Sequence, residues 1–253
     1  DIFFVISGFV ITSSLYHRPS KNFKDFISGF YERRIKRLIP ALAAFVTLTA
    51  IAAHLLIQNA GTYYITGALS LFGVSNFYMM SQVGGYWGFN ASINPFTQTW
   101  SLGVEEQFYL LFPFLIWFSG FGRQTKNGAR NLFLLLGVLA VFSLINFLYL
   151  YPSNQSAAYF LMPFRFWEMA TGCLIFLGFK EHASLEQFLE NVPPLLVLAL
   201  IIGVMYLPLS LSAVSTVAVV VLTSVLIACL KNQTIAFNIF TSPMIIYVGL
   251  ISY

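Results

Sequence analysis

Residues 131–150 read NLFLLLGVLAVFSLINFLYL, a run of twenty residues without a charged side chain. As an α-helix this run would be about 30 Å long, which is the thickness of the hydrocarbon core of a bilayer. A helix also satisfies its own backbone hydrogen bonds, as a segment surrounded by lipid must. The run therefore predicts a transmembrane helix.

Similar apolar runs occur along the whole chain, which is 58% hydrophobic and 9% charged over its 253 residues. About a quarter of the residues of a soluble domain are charged, so water is not the main solvent of this chain. We predict an all-α, polytopic transmembrane helical bundle that occupies residues 1–253 as a single domain. Its eight candidate spans are residues 2–16, 38–57, 100–118, 131–150, 159–179, 193–211, 213–230 and 242–253.

Basic residues mark one side of this bundle. Twelve of the thirteen Lys and Arg residues lie in alternate connecting segments, namely residues 17–37, 119–130, 180–192 and 231–241. The other connecting segments, which are residues 58–99, residues 151–158 and Ser212, contain no basic residue. Basic loops stay in the cytoplasm, so the first set is predicted to be cytoplasmic and the second to face outward. The net charge of +4 thus indicates orientation in a lipid bilayer, and no nucleic-acid partner is expected.

Two more helices are predicted outside the spans. Residues 63–80 are apolar, but a crossing there would move every later basic loop to the outer face. We therefore interpret them as a re-entrant or surface-lying helix. Residues 23–38 alternate apolar side chains at helical spacing with Lys and Arg, which is typical of an interfacial amphipathic helix. This helix is expected to lead into the second span, with Pro40 at the junction.

Four ionisable side chains lie deep within predicted spans, where charges are costly and usually serve function or pair with one another. They are Glu105, Glu106, Arg165 and Glu168. At 1.5 Å per residue all four lie about 8 to 14 Å from the outer end of their helices. Arg165 and Glu168 share a helical face, within reach of a Glu from the other span. Two interpretations stay open: an ion pair that fixes helix register, or a polar substrate cavity.

At the cytoplasmic mouth of a span, Arg34 and Arg37 share another helical face. Two guanidinium groups in this arrangement suit a phosphate group, since each can donate two parallel hydrogen bonds. Anchoring to anionic lipid explains the same residues, and composition alone favours that interpretation. Ser7 and Gly8, in the first span, form a small pair that would allow two helices to approach closely.

The histidines and cysteines are weak candidates for a catalytic or metal-binding site. His17, His54 and His182 lie near span ends or in loops and have no evident carboxylate partner in sequence. Cys173 and Cys229 are far apart in apolar runs, so neither a disulfide framework nor a metal-ligand spacing is present. We predict no metal site and no bound cofactor.

Five stretches follow one another along the chain in a fixed order. They are DIFFVISGFVI at 1–11, YERRIKRLIP at 31–40, WSLGVEEQFYL at 100–110 preceded by SNFY at 75–78 and NP at 94–95, RFWE at 165–168 with Gly172, and GLISY at 249–253. Together they resemble the family 3 membrane acyltransferases, integral enzymes that O-acylate bacterial polysaccharides, peptidoglycan and related glycans. One departure is Gln98, where many members of that family carry a histidine.

The resemblance implies a domain of roughly ten helices, of which this sequence would lack the first and the last. A histidine on that first helix would be the catalytic base. The residues here would then support catalysis or bind substrate. The expected catalytic residues are Glu105 in a supporting role, Trp100 and Ser101, and the expected substrate-binding residues are Arg34, Arg37, Arg165, Glu168 and Ser7.

The resemblance also implies a reaction and a place for it. An acyl group, expected to be acetyl, would pass from acyl-CoA to a hydroxyl of a cell-surface glycan or lipid-linked sugar. Arg34 and Arg37 would meet the phosphates of acyl-CoA from the cytoplasm, and the acceptor would approach from outside. The expected location is the inner membrane of a bacterium.

Two other classes of function remain compatible with the residues. A secondary transporter or permease would use the intramembrane Arg and Glu residues to line a substrate path, although no internal repeat is present in the sequence. A non-catalytic membrane scaffold or sensor predicts that Arg34, Arg37 and Glu105 could be replaced without effect.

Overall fold

The computed structural model describes residues 1–18, 20, 22–57, 61–81, 94–181, 192–230 and 234–251. Within these ranges every regular element is a helix and none is a strand, as the apolar runs predicted. The chain divides into two compact units. We call Tyr16–Trp167 the central unit, and Asp1–Leu15 with Glu168–Tyr253 the terminal unit.

The described helices are numbered here in chain order. They are α1 (Ile2–Tyr16), α2 (Phe23–Leu56), α3 (Gly61–Leu71), α4 (Ser75–Ser81), α5 (Thr99–Phe118), α6 (Gly128–Leu150), α7 (Gln155–Phe160), α8 (Met162–Glu181), α9 (Pro194–Met205), α10 (Ser212–Cys229), α11 (Ile235–Phe240) and α12 (Pro243–Ile251), with a 3₁₀ turn at Leu209–Leu211.

Four helical stretches of the described chain are long and apolar enough to cross a bilayer. They are Phe23–Leu56, Gly128–Leu150, Gln155–Phe179 and Leu209–Cys229. The predicted count of about eight spans is therefore not confirmed. Helix α5 has the necessary length, with 20 residues, but Glu105, Glu106 and Gln107 lower its mean hydropathy. Helices α1 and α9 are apolar but have only 15 and 12 residues.

The predicted span at residues 193–211 is wrong in its extent. Helix α9 ends at Met205, and a turn separates it from the 3₁₀ residues that precede α10. Pro208 explains the break, because proline has no N–H for a helical hydrogen bond and also disfavours the helical conformation of the residue before it. Helix α9 is thus about 18 Å long, shorter than the hydrocarbon core.

Two other boundaries also differ from those predicted. The amphipathic helix and the second span form one continuous helix, α2, of 34 residues with Pro40 inside it. Residues 63–80 form parts of two short helices, α3 and α4, which are separated by a turn at Gly73 with a φ of +65°. Since α3 has 11 residues and α4 has 7, neither is long enough to cross a bilayer, as the re-entrant interpretation requires.

Within the central unit, the basic segments meet at one end of α5. The backbone N–H of Ser20 donates to the carbonyl of Gly122, and the side chain of Gln124 donates to the carbonyl of Tyr16. Phe23, at the start of α2, packs against Trp117, near the end of α5. The two segments that carry most of the basic residues therefore lie together, as the charge pattern predicted.

The uncharged segments meet at the opposite end of the central unit. Helix α3 packs against α2, and α4 packs against both α5 and α7. His54, near the end of α2, lies with its Nδ1 3.3 Å from the hydroxyl of Tyr64 in α3. Helix α5 thus runs from an uncharged end at Thr99 to a basic end at Phe118.

In the terminal unit, α1 and α8 cross at two glycines. A Cβ atom on Gly8 would lie 1.9 Å from the carbonyl oxygen of Met169, and one on Gly172 would lie 2.0 Å from that of Val5. The thiol of Cys173 donates to the carbonyl of Gly8 across the same crossing. The close approach predicted from Ser7 and Gly8 is confirmed at Gly8.

Candidate functional site

The two arginines of the YERRIKRLIP stretch lie in different surroundings. Arg34 is half-buried, and its guanidinium carbon lies 4.7 Å from the centre of the Tyr109 ring and 5.8 Å from that of Phe30. Arg37 is exposed. The sequence predicts one joint phosphate site for the two arginines, whereas in the structure Arg34 lies against Tyr109 of α5 and Arg37 is exposed. Their role in phosphate binding stays a prediction.

Arg34 also lies deeper than the predicted mouth of the span. Its neighbour Tyr109 is eight residues before Trp117 on α5, which corresponds to about 12 Å inward from the basic end. The hydroxyl of Tyr31 donates to the carbonyl of Leu110 at 2.8 Å and fixes α2 against α5 at this level. The guanidinium is therefore held within the bundle rather than beside its basic loop.

Glu105 lies one turn further along α5 from this arginine. Its carboxylate is 3% exposed, and its Oε1 accepts a hydrogen bond of 3.3 Å from the hydroxyl of Tyr109. Glu106 faces another neighbour, since a Cβ on Gly73 would come within 2.1 Å of its Oε2. Glu105, which the sequence analysis preferred, is the more buried of the two carboxylates.

Arg165 occupies an aromatic enclosure near the uncharged end of α5. Its side chain is 1% exposed, and its Nε donates to the carbonyl of Tyr159 at 3.1 Å. The guanidinium carbon lies 4.7 Å from the ring centre of Tyr159, 5.7 Å from that of Phe147 and 5.9 Å from that of Trp100. Contacts with these rings partly compensate a buried cation for its lost water.

Glu168 follows Arg165 by one turn of α8 and is fully buried, at 0% exposure. Both side chains therefore lie in the protein interior rather than in lipid. That Arg165, Glu168 and Glu105 form a single polar cluster stays a prediction, as does substrate binding by Arg165 and Glu168.

The two serines of the predicted site differ in their surroundings. The hydroxyl of Ser101, which is partly exposed, donates to the carbonyl of Gln98 within the first turn of α5. Ser7 is half-buried on α1 in the terminal unit. Trp100 is nearly buried, at 8% exposure, and its ring centre lies 4.6 Å from that of Tyr159. The roles of these three residues stay predictions.

Two side-chain amides, those of buried Asn76 and partly buried Gln107, join α4, α5 and α7, and the sequence predicted no role for them. Asn76, which is fully buried, donates to the carbonyl of Phe160 at 2.9 Å. Gln107 donates to Asn76 Oδ1 at 2.8 Å and to the carbonyl of Gly73 at 3.0 Å. Gly103 lets the backbones meet there, since its Cβ would lie 3.1 Å from the Gly73 carbonyl oxygen.

Hydroxyl groups extend this network to the start of α5. Ser70 donates to Thr99 Oγ1 at 2.6 Å, and Ser75 donates to the carbonyl of Thr99 at 3.0 Å. Asn94 donates to Thr66 Oγ1 at 2.9 Å. The stretches SNFY and NP, which the sequence analysis quoted without assigning roles, contain several of these residues. In the sequence, these residues could have been recognised as polar side chains within an otherwise apolar chain.

An apolar groove of about 350 Å³ lies between α5, α6 and α8 in the central unit. Leu111, Phe142 and Phe166 line it, and Ser143 is its one polar lining residue. That hydroxyl already donates to the carbonyl of Pro163 and accepts from the N–H of Trp167. Among the described residues, no group of three His, Cys, Asp or Glu side chains is placed to hold a metal ion.

Sequence comparison assigns the chain to a protein family. The family model Acyl_transf_3, described as an acyltransferase domain, matches residues 1–253. The chain belongs to this acyltransferase family. The resemblance carried by the five stretches is thereby confirmed, and the alternative of a secondary transporter is not favoured.

Relatives of this acyltransferase-family chain include two named proteins. O-acetyltransferase OatA of Staphylococcus aureus is 34% identical over 183 residues, which cover 69% of this chain and 29% of that protein. Peptidoglycan O-acetyltransferase OatA of Listeria monocytogenes is 31% identical over 182 residues, covering 69% of this chain and 28% of that protein. The chain thus matches less than a third of the length of either OatA protein.

A third relative has a length closer to that of this chain. An uncharacterized protein of Haemophilus influenzae is 33% identical over 215 residues, which cover 82% of this chain and 86% of that protein. No solved structure matches the acyltransferase-family chain.

Proposed function

We propose that this chain belongs to an integral membrane O-acyltransferase that transfers an acyl group, expected to be acetyl, from acyl-CoA to a hydroxyl of a cell-envelope glycan. Family membership and the names of the two OatA relatives support this reaction class. The proposed location is the cytoplasmic membrane of a bacterium, where acyl-CoA is available on one side and the glycan, or a lipid-linked sugar, on the other.

One observation carries the proposal: polar side chains follow α5 from its basic end toward its uncharged end. In that order they are Arg34, Tyr109, Glu105, Trp100 and Arg165. Tyr109 and Trp100 are nine residues apart, which corresponds to about 14 Å along the helix. Buried polar groups are rare inside a bilayer and usually mark a path for substrate or charge. This line supports transfer from one side of the membrane toward the other.

The donor is assigned to the basic end. Arg37 is exposed there, and Arg34 lies deeper against Tyr109, so the pair can contact a chain of phosphates at two depths. Guanidinium groups form charge-assisted, bidentate hydrogen bonds to phosphate. The basic loops around them would attract the negatively charged acyl-CoA from the cytoplasm.

The acceptor is assigned to the opposite end, near Trp100 and Ser101. In the transfer, the acceptor oxygen forms a bond to the thioester carbonyl carbon, and the carbon–sulfur bond breaks. The acceptor hydroxyl loses its proton to a base, and CoA leaves as the thiolate, which is then protonated. Glu105 is assigned a supporting role, since its carboxylate is held by Tyr109.

Substitution of the two arginines tests this proposal. We expect Arg34→Ala and Arg37→Ala in the full-length protein to raise KM for acetyl-CoA about tenfold each, because a charge-assisted hydrogen bond contributes about 1.5–3 kcal/mol. The measurement is transfer of radiolabelled acetyl from acetyl-CoA to isolated peptidoglycan strands by membranes with matched amounts of protein. Arg34→Lys should rescue only partly, because a point charge cannot replace a planar guanidinium packed on a ring.

Arg123→Ala is the matched control. Arg123 also lies at the basic end, with its guanidinium carbon 5.5 Å from the Trp117 ring centre, but it is not part of the line along α5. Its loss removes one of several charges from the basic loops, so KM should change less than about twofold. Full rescue by Lys at both positions, or an unchanged KM in the Ala variants, would contradict phosphate binding and indicate that Arg34 and Arg37 anchor the helix to lipid. A wild-type protein that transfers no acetyl from acetyl-CoA would refute the proposed donor.

A further inference from the structure

We propose that Tyr109 is a positioning residue that couples the donor-side cation Arg34 to the buried carboxylate of Glu105. One side chain touches both groups: its ring lies 4.7 Å from the Arg34 guanidinium carbon, and its hydroxyl donates to Glu105 Oε1 at 3.3 Å. Tyr109 itself is 6% exposed, so packing fixes its ring. This inference rests on the proposed function, because it assigns a role within the same site.

The first half of the coupling is the contact between Arg34 and the Tyr109 ring. A guanidinium over an aromatic ring is stabilised by the negative face of the ring. Phe30 lies on the same helix, one turn before Arg34, and adds a second ring contact at 5.8 Å. The bond from Tyr31 to the carbonyl of Leu110 holds α2 at this height on α5. Arg34 is thus oriented before any anion binds, which lowers the entropy lost on binding.

The second half is the oriented carboxylate. Glu105 and Tyr109 are four residues apart on α5, so their side chains lie on one face, about 6 Å apart along the axis. The hydroxyl of Tyr109 donates to one oxygen of the Glu105 carboxyl group and so restricts its rotation. Tyr109 therefore contributes to the orientation of Glu105, and its ring also lies against the guanidinium of Arg34.

These two contacts predict separable effects on binding and on turnover. The ring face supports Arg34 and hence the affinity for the donor. The hydroxyl supports Glu105 and hence the rate of transfer once the donor is bound. A loss of folded protein would lower the apparent kcat alone and leave KM unchanged, so both constants are measured at matched amounts of folded protein.

The experiment compares Tyr109→Phe with Tyr109→Leu in the full-length protein, using acetyl-CoA and isolated peptidoglycan strands. Tyr109→Phe keeps the ring and loses the hydroxyl, so kcat should fall about tenfold while KM for acetyl-CoA changes less than about twofold. Tyr109→Leu also loses the ring, so the same fall in kcat should be joined by a rise in KM of about fivefold or more. Tyr149→Phe, at a side chain that is 83% exposed on α6, is the matched control and should leave both constants unchanged.

A second pair of variants guards against effects of misfolding. Glu105→Leu should reproduce the kcat of Tyr109→Phe without a rise in KM, and adding Tyr109→Phe to Glu105→Leu should cause no further loss, because the hydroxyl then has no carboxylate to orient. A Tyr109→Phe protein with wild-type kcat, or fully additive losses in the double variant, would overturn the coupling. If wild-type protein uses no acetyl-CoA at all, the proposed function fails first and the role of Tyr109 falls with it.

Discussion

Helices α1 and α8 of the terminal unit meet backbone to backbone, whereas α4 and α5 of the central unit meet largely through side-chain amides. At the first crossing, Gly8 and Gly172 leave no room for a Cβ beside the carbonyl groups of the facing helix. At the second, Asn76 and Gln107 join the helices through hydrogen bonds. Lipid tails are as apolar as leucine, so membrane helices associate by close packing or by polar contacts rather than by burial of apolar surface. The chain uses both methods.

The two crossings should respond differently to substitution. A backbone carbonyl cannot move aside without shifting its helix. A methyl group added at the glycine crossing would therefore push the two helices apart. A lost amide leaves partners that can turn toward other polar groups, and interhelical hydrogen bonds in membranes contribute on average less than about 1 kcal/mol. Substitutions at the glycine crossing should therefore destabilise the protein more than substitutions at the amide crossing.

The largest expected effect comes from Gly172→Ala. The added Cβ would lie 2.0 Å from the carbonyl oxygen of Val5, so we expect a loss of about 3 kcal/mol or more in the free energy of unfolding. Thermal unfolding of the full-length protein in detergent measures this as a lower Tm. Gly178→Ala, on the same helix but with no atom within 4 Å of the new Cβ, is the control and should leave Tm equal or slightly higher. Equal Tm values for the two variants would contradict the glycine crossing.

A smaller effect is expected from Asn76→Ala. This change removes the hydrogen bonds that Asn76 makes with the carbonyl of Phe160 and with the side chain of Gln107, at a cost of about 1–2 kcal/mol. Asn146→Ala is matched to it, because Asn146 donates to the carbonyl of Phe142 in its own helix and joins no second helix. The difference between the two Tm values measures the contribution of the hydrogen bonds between helices. If Asn76→Ala destabilises as much as Gly172→Ala, the contrast between the crossings is wrong.

The smallest effect is expected from Ser143→Ala. This hydroxyl joins α6 to the start of α8 by donating to Pro163 at 2.6 Å and accepting from the N–H of Trp167 at 3.1 Å. We expect its loss to cost about 0.5–1 kcal/mol. Ser224→Ala, which removes a hydroxyl bonded to the carbonyl of Val220 in the same helix, should be closer to neutral. Indistinguishable unfolding curves for the two variants would remove Ser143 from the contacts that hold α6 and α8.

Patterns that depend on one helix at a time were predictable from sequence. Residues 131–150 lie within the described helix α6, and the grouping of the basic segments at one end of the central unit followed from charge alone. The burial of Arg165, Glu168 and Glu105 followed from the cost of exposing charge to lipid. Helix lengths were less predictable. The prediction of a span at residues 193–211 rested on hydropathy alone and ignored Pro208, which ends the helix early.

Features that depend on the register between two helices were not predictable. The sequence places Arg34 beside Arg37, but only packing shows that Arg34 lies over Tyr109 while Arg37 is exposed. In the same way, Asn76 and Gln107 are 31 residues apart, and no periodicity relates them. Such pairs depend on how far one helix slides along another, and apolar side chains of similar size allow several registers.

Proline at the middle of α2 has a mechanical consequence. Pro40 has no N–H to donate to the carbonyl four residues earlier, so bending the helix costs least at that point. The whole helix is about 51 Å long, longer than the hydrocarbon core is thick, so the amphipathic half before Pro40 and the apolar half after it need not share one tilt. We expect a change in membrane thickness to alter the tilt of the apolar half through bending at Pro40, while the half of α2 that carries Arg34 keeps its orientation.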